Sequence, residues 1–278
     1  MRKIKTVLKR KIIWLFAYLF PNFFVDKAFA YLVSPMQFKI RPHEKDILSK
    51  AEKSRLMFND FEIQMYQWGK GEKKILLVHG WEGNAGNFAY IIKRLLEEDY
   101  TIISFDGPSH GASSKGKTSS FEFTELVASL IQKHEPSQLI SHSFGSVASI
   151  IALGKNPALK IERYVGITVP NKFRERLEEI ANYLGLPYIV VSRLITKIEA
   201  EHDIIVDEIN VEDYAQKSSV EKALLLHDTN DRVLPVEKSR EVANKWPAAR
   251  LVEVTGTGHY KILGTQKVLN EIVTFLCH

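Results

Sequence analysis

Hydrophobic and polar positions along the middle of the chain follow two alternating periods. Residues 62–68 alternate apolar and polar side chains, which is typical of a strand with one buried face. Residues 84–98 instead place their apolar side chains at the spacing of one helix face. Because both patterns recur in turn, the sequence predicts a doubly wound α/β fold with a mostly parallel sheet. The other predicted elements are strands Ile75–Val78, Thr101–Phe105, Leu139-Ile140 and Tyr164–Val169, and helix Phe121–Lys133.

This alternation stops between the strand ending at Val169 and the next strand, which starts near Lys222. Phe173–Leu184 and Tyr188–Glu201 each carry an apolar stripe at helical spacing, and Gly185-Leu186-Pro187 separates them. About fifty residues are too many for a simple connection between two strands. An inserted pair of helices is one interpretation, and an ordinary crossover that carries two extra helices is the alternative.

A basic and apolar arm precedes the alternating region, and we assign it to residues 1–50. The run Ile12–Phe20 has nine residues, too few to span a bilayer, which needs about 20. Three interpretations stay open: helices before Pro35 that pack on the body, attachment to a membrane interface, and a signal peptide cleaved after Ala28-Phe29-Ala30. The first eleven positions contain no acid and six basic residues: Arg2, Lys3, Lys5, Lys9, Arg10 and Lys11.

Charge and cysteine content exclude several classes of function. The net charge of +5 comes from the arm, and the rest of the chain is close to neutral, so we expect no nucleic-acid partner. The one cysteine, Cys277, cannot form an intrachain disulfide and favours a cytoplasmic location. No zinc-ligand spacing or Gly-rich phosphate loop is present, so we predict no metal and no cofactor. An interfacial arm would add membrane contact through residues 1–20.

The candidate nucleophile lies in Ser-His-Ser-Phe-Gly at 141–145. This segment follows the apolar run Gln138-Leu139-Ile140 and precedes a helix-like stretch, Ser146–Leu153. A serine on a sharp strand-to-helix turn presents its hydroxyl at the edge of the sheet, where it can attack a carbonyl carbon. Serine also needs a base to take its proton and a partner to orient that base. We therefore predict that Ser143 is the nucleophile.

Two later strand ends carry candidates for the base and its partner. His259 lies in a Gly-rich loop after Val252–Val254, and Asp231 lies in a polar turn after Leu224–Leu226. Asp228 is on the same turn and competes with Asp231 for the acid role. Since open α/β sheets place functional groups beyond the carboxyl ends of their strands, we expect these side chains to meet Ser143. An earlier strand, Ile75–Val78, runs into a further loop of this kind at His79-Gly80-Trp81.

Taken together, these motifs resemble the serine hydrolases of the α/β-hydrolase superfamily from about Phe61 to Leu276. The family usually has glycine at the first position of the nucleophile turn, where this chain has Ser141, a residue small enough for that turn. The segments that carry the resemblance are Val78-His79-Gly80-Trp81, Phe105–Ser113, Ser141–Gly145, Asp231–Pro235 and Gly256–His259.

The resemblance implies a role for each candidate residue and a boundary for each region. Asp231 is the expected acid because it precedes Val-Leu-Pro, as the family's acid usually does. The backbone N–H groups of Trp81 and Phe144 are the expected oxyanion hole. A helical cap is expected at 171–220, within a hydrolase domain that covers 51–278.

We expect a carboxylesterase or lipase-like serine hydrolase acting on a small acyl substrate, with Trp81 and Glu82 as substrate-binding residues. Thioesterase, lysophospholipase, acyltransferase, peptidase and carbon–carbon hydrolase chemistry use the same triad and stay open, as does a non-catalytic binding protein. His79 is expected to be a buried hydrogen-bonding residue rather than a base. His142 should point to the opposite face of its strand from its neighbours. Asp106 and His110 are expected to fix their own loop.

Overall fold

The computed structural model describes residues 12–277, which contain one eight-stranded sheet. The predicted doubly wound, mostly parallel architecture is confirmed. An additional strand, β1, precedes the predicted ones. The strands are β1 (Glu52–Phe58), β2 (Phe61–Trp68), β3 (Lys73–Val78), β4 (Tyr100–Phe105), β5 (Gln138–His142), β6 (Lys160–Ile167), β7 (Ser219–Asp228) and β8 (Ala249–Val254).

The strand order across the sheet is β1-β2-β4-β3-β5-β6-β7-β8. β1 and β2 form an antiparallel pair, β2 is also antiparallel to β4, and each of the remaining neighbouring pairs is parallel. β3 and β5 are neighbours, and the chain leaves β3 toward β4 but leaves β5 toward β6, so the connections that follow these two strands run in opposite directions across the sheet. Ligand sites of open α/β sheets lie at the carboxyl ends of strands around such a reversal.

Apolar side chains fill both faces of the sheet, as the strand β3 illustrates. Leu76 and Val78 belong to one core cluster, and Ile75 and Leu77 belong to the other, because successive side chains of a strand point to opposite faces. The first face packs on α5 (Ser120–His134), α6 (Phe144–Lys155), α9 (Val211–Lys217) and α10 (Glu237–Lys245), and the second on α3 (Pro42–Ser49), α4 (Ala89–Leu95) and α12 (Gln266–Cys277). A one-turn helix, α11 (Gly258–Lys261), precedes α12.

The chain divides into two compact units. Unit two contains the sheet and the helices just named, and covers 35–171 and 211–277 of the described residues. Unit one covers 12–34 and 172–210 and contains four helices: α1 (Ile12–Leu19), α2 (Pro21–Leu32), α7 (Phe173–Leu184) and α8 (Tyr188–His202).

Unit one is held together by contacts between α2 and α8. Val25 and Val190 are buried in a small apolar cluster. Lys197 Nζ lies 2.7 Å from Asp26 Oδ1, and Arg193 donates a hydrogen bond to Asn22 at 2.6 Å. The two segments of this unit are therefore joined by both apolar and polar contacts, although about 140 residues separate them in the sequence.

These units differ from the predicted boundaries. The predicted arm, 1–50, is too long, because α3 contributes Ile47 and Leu48 to the core of unit two and the division follows Ser34. The predicted insertion, 171–220, is also too long, because α9 packs its apolar side chains in unit two. Both errors have one cause: a short amphipathic helix looks the same in sequence whichever unit it packs on.

Within residues 12–277, a membrane-crossing helix would have to be composite. No single helix there combines the required length and hydropathy. α1 and α2 meet the requirement only as a pair, and their axes are bent by 109° at the break between them. Residues 1–11, which hold the six basic side chains of the arm, lie outside the described residues.

Candidate active site

Three side chains from three strand ends form a continuous hydrogen-bonded row in unit two. Ser143 follows β5, Asp231 lies three residues beyond β7, and His259 lies on α11 after β8. His259 Nε2 is 3.1 Å from Ser143 Oγ, and His259 Nδ1 is 2.7 Å from Asp231 Oδ2. This is the geometry in which an imidazole can accept the serine proton while a carboxylate fixes its tautomer.

The backbone of Ser143 has the conformation of a sharp strand-to-helix turn. Its φ is +52° and its ψ is −123°, a combination that costs a non-glycine residue free energy and persists only where surroundings enforce it. Its N–H donates to Ile167 O of β6 at 2.9 Å, and α6 begins at the next residue. The turn therefore holds Ser143 at the sheet edge, where the residue is half-buried.

Gly145 permits this turn to lie directly against β3. A Cβ atom at this position would lie 2.3 Å from Val78 O and 2.6 Å from His79 O, so no other residue fits without moving the backbone. The requirement for glycine at the last position of the turn is thus steric, and it comes from the neighbouring strand rather than from the turn itself.

Ser141, which stands where the family usually has glycine, is accommodated by a buried hydroxyl network. Its Oγ lies 2.5 Å from Tyr164 Oη and 3.0 Å from Ser146 Oγ, and all three residues are fully buried. A buried hydroxyl without a partner would cost roughly 1–3 kcal/mol, and here each hydroxyl has one. The departure is therefore compatible with the turn.

The two carboxylates that competed for the acid role have different partners. Asp231 contacts His259, whereas Asp228 binds the backbone of the loop that carries His259. Asp228 Oδ2 accepts hydrogen bonds from Gly258 N at 2.8 Å and from both the N–H and the hydroxyl of Thr257. The structure thus places Asp231 where the acid was predicted and gives Asp228 the position of a residue that orients the histidine loop.

Hydrogen bonds keep both carboxylates ionised although burial opposes it. Burial raises the pKa of Asp228, but the bonds from Thr257, Asn230 and Gly258 outweigh it and lower that pKa to about 2. Burial acts on Asp231 in the same way, and hydrogen bonds from His227 and His259 hold its pKa well below the usual range. A negative charge therefore faces the Nδ1 side of the His259 imidazole.

His227 is a neighbour of Asp231 whose role the sequence pattern did not predict. Its Nε2 lies 3.5 Å from Asp231 Oδ2 and 3.0 Å from Leu234 O, and its Nδ1 lies 2.7 Å from Ser239 Oγ. The other oxygen of Asp231, Oδ1, accepts the N–H groups of Val233 and Leu234. Both oxygens of Asp231 are thereby fixed. The position of His227 at the end of β7 was the only sequence signal for this role.

The ring of His142 pairs with the backbone of His259 and not with the hydroxyl of Ser143, in line with its predicted orientation on β5. Its Nε2 donates to the backbone oxygen of His259 at 3.0 Å, and its ring centre lies 5.0 Å from that of His259. Burial, together with the neighbouring His259, lowers the pKa of His142 to about 3. His142 is thus a neutral side chain, and its hydrogen bond to the backbone of His259 helps to hold that residue in place.

The predicted oxyanion donors, Trp81 and Phe144, lie on two segments that adjoin Ser143, the loop after β3 and the start of α6. Phe144 is the first residue of α6, and N–H groups in the first turn of a helix have no acceptor within it. A Cβ atom on Gly80, next to Trp81, would lie 3.3 Å from Ser143 Cβ, so the loop after β3 runs against the nucleophile. The rings of Trp81 and Phe144 pack edge to face with centres 5.4 Å apart.

Two buried histidines hold the loop that carries Trp81. His79 Nδ1 donates to Gly80 O at 2.7 Å, and its Nε2 accepts the N–H of Gly107 at 2.9 Å. His110 Nε2 accepts the N–H of Glu82 at 2.9 Å, and its Nδ1 donates to Pro108 O. Each ring uses one nitrogen as donor and the other as acceptor, so each is held in its neutral form.

Burial is the main reason that the pKa values of these two histidines are low, about 4 for His79 and about 3 for His110. Asp106 supports the same loops through its carboxylate. It accepts the N–H groups of Ala85 and Ala112, at 2.8 and 2.7 Å, and the hydroxyl of Tyr66 at 3.1 Å. Burial raises the pKa of Asp106. Asp106 and His110 therefore connect the loop after β4 to the loop after β3.

Expectations for Glu82 and for metal binding also come from the sequence. The carboxylate of Glu82 accepts the N–H of Met36 at 3.2 Å, so one of its oxygens has a partner in the protein, and its contact with substrate stays a prediction. Within residues 12–277, no group of three or more His, Cys, Asp or Glu side chains has an arrangement that could hold a metal ion.

Two models of known protein families match most of unit two. Residues 73–184 match the family model described as alpha/beta hydrolase fold, and residues 203–278 match the model described as TAP-like protein. The first match contains the predicted nucleophile and both predicted oxyanion donors. The second match contains Asp231 and His259.

Individual relatives and solved structures agree with these models. The chain is 23% identical over 231 residues to the uncharacterized hydrolase YugF of Bacillus subtilis, and the aligned region covers 68% of this chain and 84% of the relative. It is 32% identical over 100 residues to a serine hydrolase-like protein of Dictyostelium discoideum, over 33% of this chain and 28% of that protein. The Pyrococcus furiosus esterase Pf2001 superposes with a TM-score of 0.65 at 19% identity, over 88% of this chain and 97% of that structure.

Proposed function

We propose that this chain, which belongs to the α/β-hydrolase superfamily, cleaves a carboxylic ester or a related acyl bond through a covalent intermediate on Ser143. That it is a hydrolase of the α/β fold follows from the family matches and the sheet topology. The observation that carries the finer proposal is the unbroken row of contacts from Ser143 through His259 to Asp231, at 3.1 and 2.7 Å.

In the first half of the proposed reaction, Ser143 Oγ attacks the carbonyl carbon and its proton passes to His259 Nε2. The carbonyl oxygen becomes an oxyanion that the N–H groups of Trp81 and Phe144 stabilise. When the carbon–oxygen bond to the leaving group breaks, His259 Nε2 donates its proton to the departing oxygen. An alcohol leaves, and the acyl group remains on Ser143.

In the second half, water attacks the acyl carbon while His259 Nε2 takes a proton from it. The second oxyanion collapses, the bond to Ser143 Oγ breaks, and His259 returns the proton to that oxygen. Asp231 stabilises the imidazolium in both halves, because its carboxylate accepts the Nδ1–H bond at 2.7 Å and stays ionised. The carboxylic acid leaves, and the enzyme is regenerated without any net change in its protons.

A fluorophosphonate probe and short p-nitrophenyl esters test this proposal. We expect the wild-type protein to be labelled once and to hydrolyse the esters. Ser143→Ala should lose labelling and reduce kcat by about 10⁵ or more, because the nucleophile of a serine hydrolase cannot be replaced by the remaining site. A single labelled peptide containing residue 143 identifies the attachment site.

Ser149→Ala is the matched control for this experiment. Ser149 is a buried serine of the same helix, α6, and its hydroxyl donates to Gly145 O at 2.7 Å without contacting His259. This variant should still be labelled and should keep its ester hydrolysis. Labelling that persists in Ser143→Ala would reject Ser143 as the nucleophile, and a folded wild-type protein that neither reacts with the probe nor cleaves esters would favour a binding protein.

A further inference from the structure

The outer surface of α1 and of the start of α2 is unusually apolar. Only Ala17 of α1 is buried, and no charged side chain occurs between Ile12 and Phe20. Polar side chains normally cover the solvent face of a helix in a soluble domain. We call this surface the apolar arm face; its side chains, each 49–59% exposed, are Ile12, Trp14, Leu15, Phe16, Tyr18, Leu19, Phe20 and Phe23.

Contacts within unit one fix the arm so that these side chains face outward. Ala17, Val25 and Val190 form the buried cluster, against which Leu186 and Ile189 also pack. The ion pair of Asp26 with Lys197 holds α2 on α8 from the polar side. On α1 the small Ala17 is therefore inside and the large aromatic side chains are outside, which is the reverse of the arrangement that would build a core.

The chemistry of this face matches the boundary layer of a lipid bilayer. Trp14 and Tyr18 stack with ring centres 5.5 Å apart, and both have an apolar ring with one polar group. Such side chains concentrate where hydrocarbon meets water. Two more exposed tyrosines, Tyr183 at 83% and Tyr188 at 72%, lie at the end of α7 and the start of α8, next to the turn whose Leu186 packs on the same cluster.

The charge of the neighbouring sequence distinguishes a lipid surface from a protein partner. Six of the eleven residues that precede α1 are basic and none is acidic. A basic segment joined to an aromatic apolar helix is the combination that binds anionic lipid, because headgroups attract the cations while the ring side chains enter the interface. We propose that the apolar arm face and residues 1–11 together attach this protein to the surface of an anionic membrane.

The proposed mode is attachment along the surface, in which the apolar arm face enters the interface and α2 keeps its contacts with α8. The 109° bend between α1 and α2 and the α2–α8 ion pair favour it, since a spanning pair would have to straighten the bend. Binding by insertion plus charge should weaken with salt, whereas a membrane-spanning segment resists both salt and alkali.

Flotation with lipid vesicles tests the proposal on the full-length protein. We expect wild-type protein to float with vesicles of phosphatidylcholine and phosphatidylglycerol at low ionic strength, and to be released by high salt or by alkaline carbonate. It should bind vesicles of phosphatidylcholine alone much more weakly. The double variant Lys9→Gln, Arg10→Gln should bind anionic vesicles about 30-fold more weakly at low ionic strength, and its binding should depend less on salt.

A second pair of variants separates the apolar contribution from the charge. Trp14→Ser with Phe20→Ser should weaken vesicle binding by about tenfold or more, because two exposed aromatic side chains are lost from the interface. Met57→Ser is the matched control, since Met57 is 66% exposed on β1 in unit two, and it should bind vesicles like the wild type. All variants should hydrolyse a soluble ester at the wild-type rate, which reports that unit two is folded.

Several results would overturn the proposal. Wild-type protein that ignores anionic vesicles, or aromatic variants that bind as well as wild type, would show that the apolar arm face does not contact lipid. Protein that stays with the membrane in alkaline carbonate would indicate a span instead of surface attachment. Self-association that Trp14→Ser with Phe20→Ser abolishes, without vesicle binding by the wild type, would identify a second copy as the occupant.

Discussion

The carboxyl edge of the sheet in unit two and the arm in unit one are organised in opposite ways. At the sheet edge, polar side chains such as Asp228, His110 and Asp231 are buried, and each has a hydrogen-bond partner. On the arm, large apolar side chains such as Trp14 and Phe20 are about half exposed. In most proteins apolar side chains are buried and polar ones are exposed. The sheet edge departs from this arrangement by burying polar groups, and the arm departs from it by exposing apolar ones.

In both regions the arrangement lowers the stability of the folded chain, but for different reasons. Burying a polar group is costly unless it is hydrogen-bonded, so the sheet edge achieves a fixed geometry at the expense of intrinsic stability. Exposing aromatic side chains leaves apolar surface in water that a partner could cover. We infer that the first region is built for chemistry within this chain and the second for contact with something outside it.

The largest effect that tests this view of the sheet edge concerns the two aspartates. Asp231→Asn should lower kcat for a soluble ester by about 10⁴, because an amide stabilises the wrong tautomer of His259. Asp228→Asn is the matched control: it keeps the hydroxyl contact of Thr257 within reach but weakens the backbone bonds that hold the loop, so its loss of kcat should be far smaller. Steady-state kinetics of both variants decide between the two residues, and a reversed order would mean that the loop carboxylate is the catalytic acid.

The acid stability of the protein should reveal the buried neutral histidines. His79, His110 and His142 have pKa values of about 4, 3 and 3 in the folded state, against about 6.5 in an unfolded chain. Below pH 6.5 the unfolded chain binds protons that the folded chain does not. The free energy of unfolding should therefore have its full value above pH 6.5 and should decrease as the pH is lowered toward 4. Each histidine contributes about 1.4 kcal/mol per pH unit in that window.

Urea unfolding at a series of pH values measures this slope. The raised pKa of buried Asp106 acts in the opposite direction and reduces the sum. His142→Gln removes one of the three contributions, so its curve should be flatter between pH 6.5 and 4 than that of the wild type. A free energy of unfolding that stays constant over this range would contradict the assignment of these rings as neutral.

The sequence predicted the row of Ser143, His259 and Asp231 at the sheet edge much better than it predicted the residues that support this row. Ser143, Asp231 and His259 each follow an apolar strand, and the parallel sheet brings the ends of such strands together. His227 also follows an apolar run, but that pattern does not predict its role, which depends on the angle at which β7 places its side chain beside Asp231. Spacing alone did not separate Asp228 from Asp231, because three residues in a turn do not reveal which carboxylate reaches the imidazole. Only the family resemblance of the Val-Leu-Pro that follows Asp231 favoured it.

The units were harder to predict than the fold. Strand patterns identified most of the sheet, but β1 went unpredicted because its side chains are mostly exposed and show no apolar alternation. The arm was recognised as apolar from Ile12–Phe20, yet its sequence alone left packing on the body, membrane attachment and a cleaved signal peptide open. Which side chains of α1 face inward depends on contacts with α8, about 170 residues away in the sequence, and local patterns do not contain that information.

The smallest effect expected at the sheet edge concerns Ser141, whose hydroxyl lies in the buried network with Tyr164. Ser141→Gly restores the residue that the family usually has, but it leaves the Tyr164 hydroxyl without this partner, so the free energy of unfolding should fall by about 1–2 kcal/mol. The turn itself should persist, and kcat should stay within a few-fold of wild type. Urea unfolding and ester kinetics measure the two quantities separately.

A double-variant cycle tells whether that hydroxyl pair is the source of the loss. Tyr164→Phe removes the other partner, and Ser141→Gly with Tyr164→Phe removes both, so the combined destabilisation should be smaller than the sum of the two single ones. Additive losses would mean that the pair contributes nothing and that the missing side chain of Ser141 acts through the turn. A large fall in kcat for Ser141→Gly would place this hydroxyl in the positioning of Ser143, so that even a buried network behind the nucleophile would be part of the catalytic geometry.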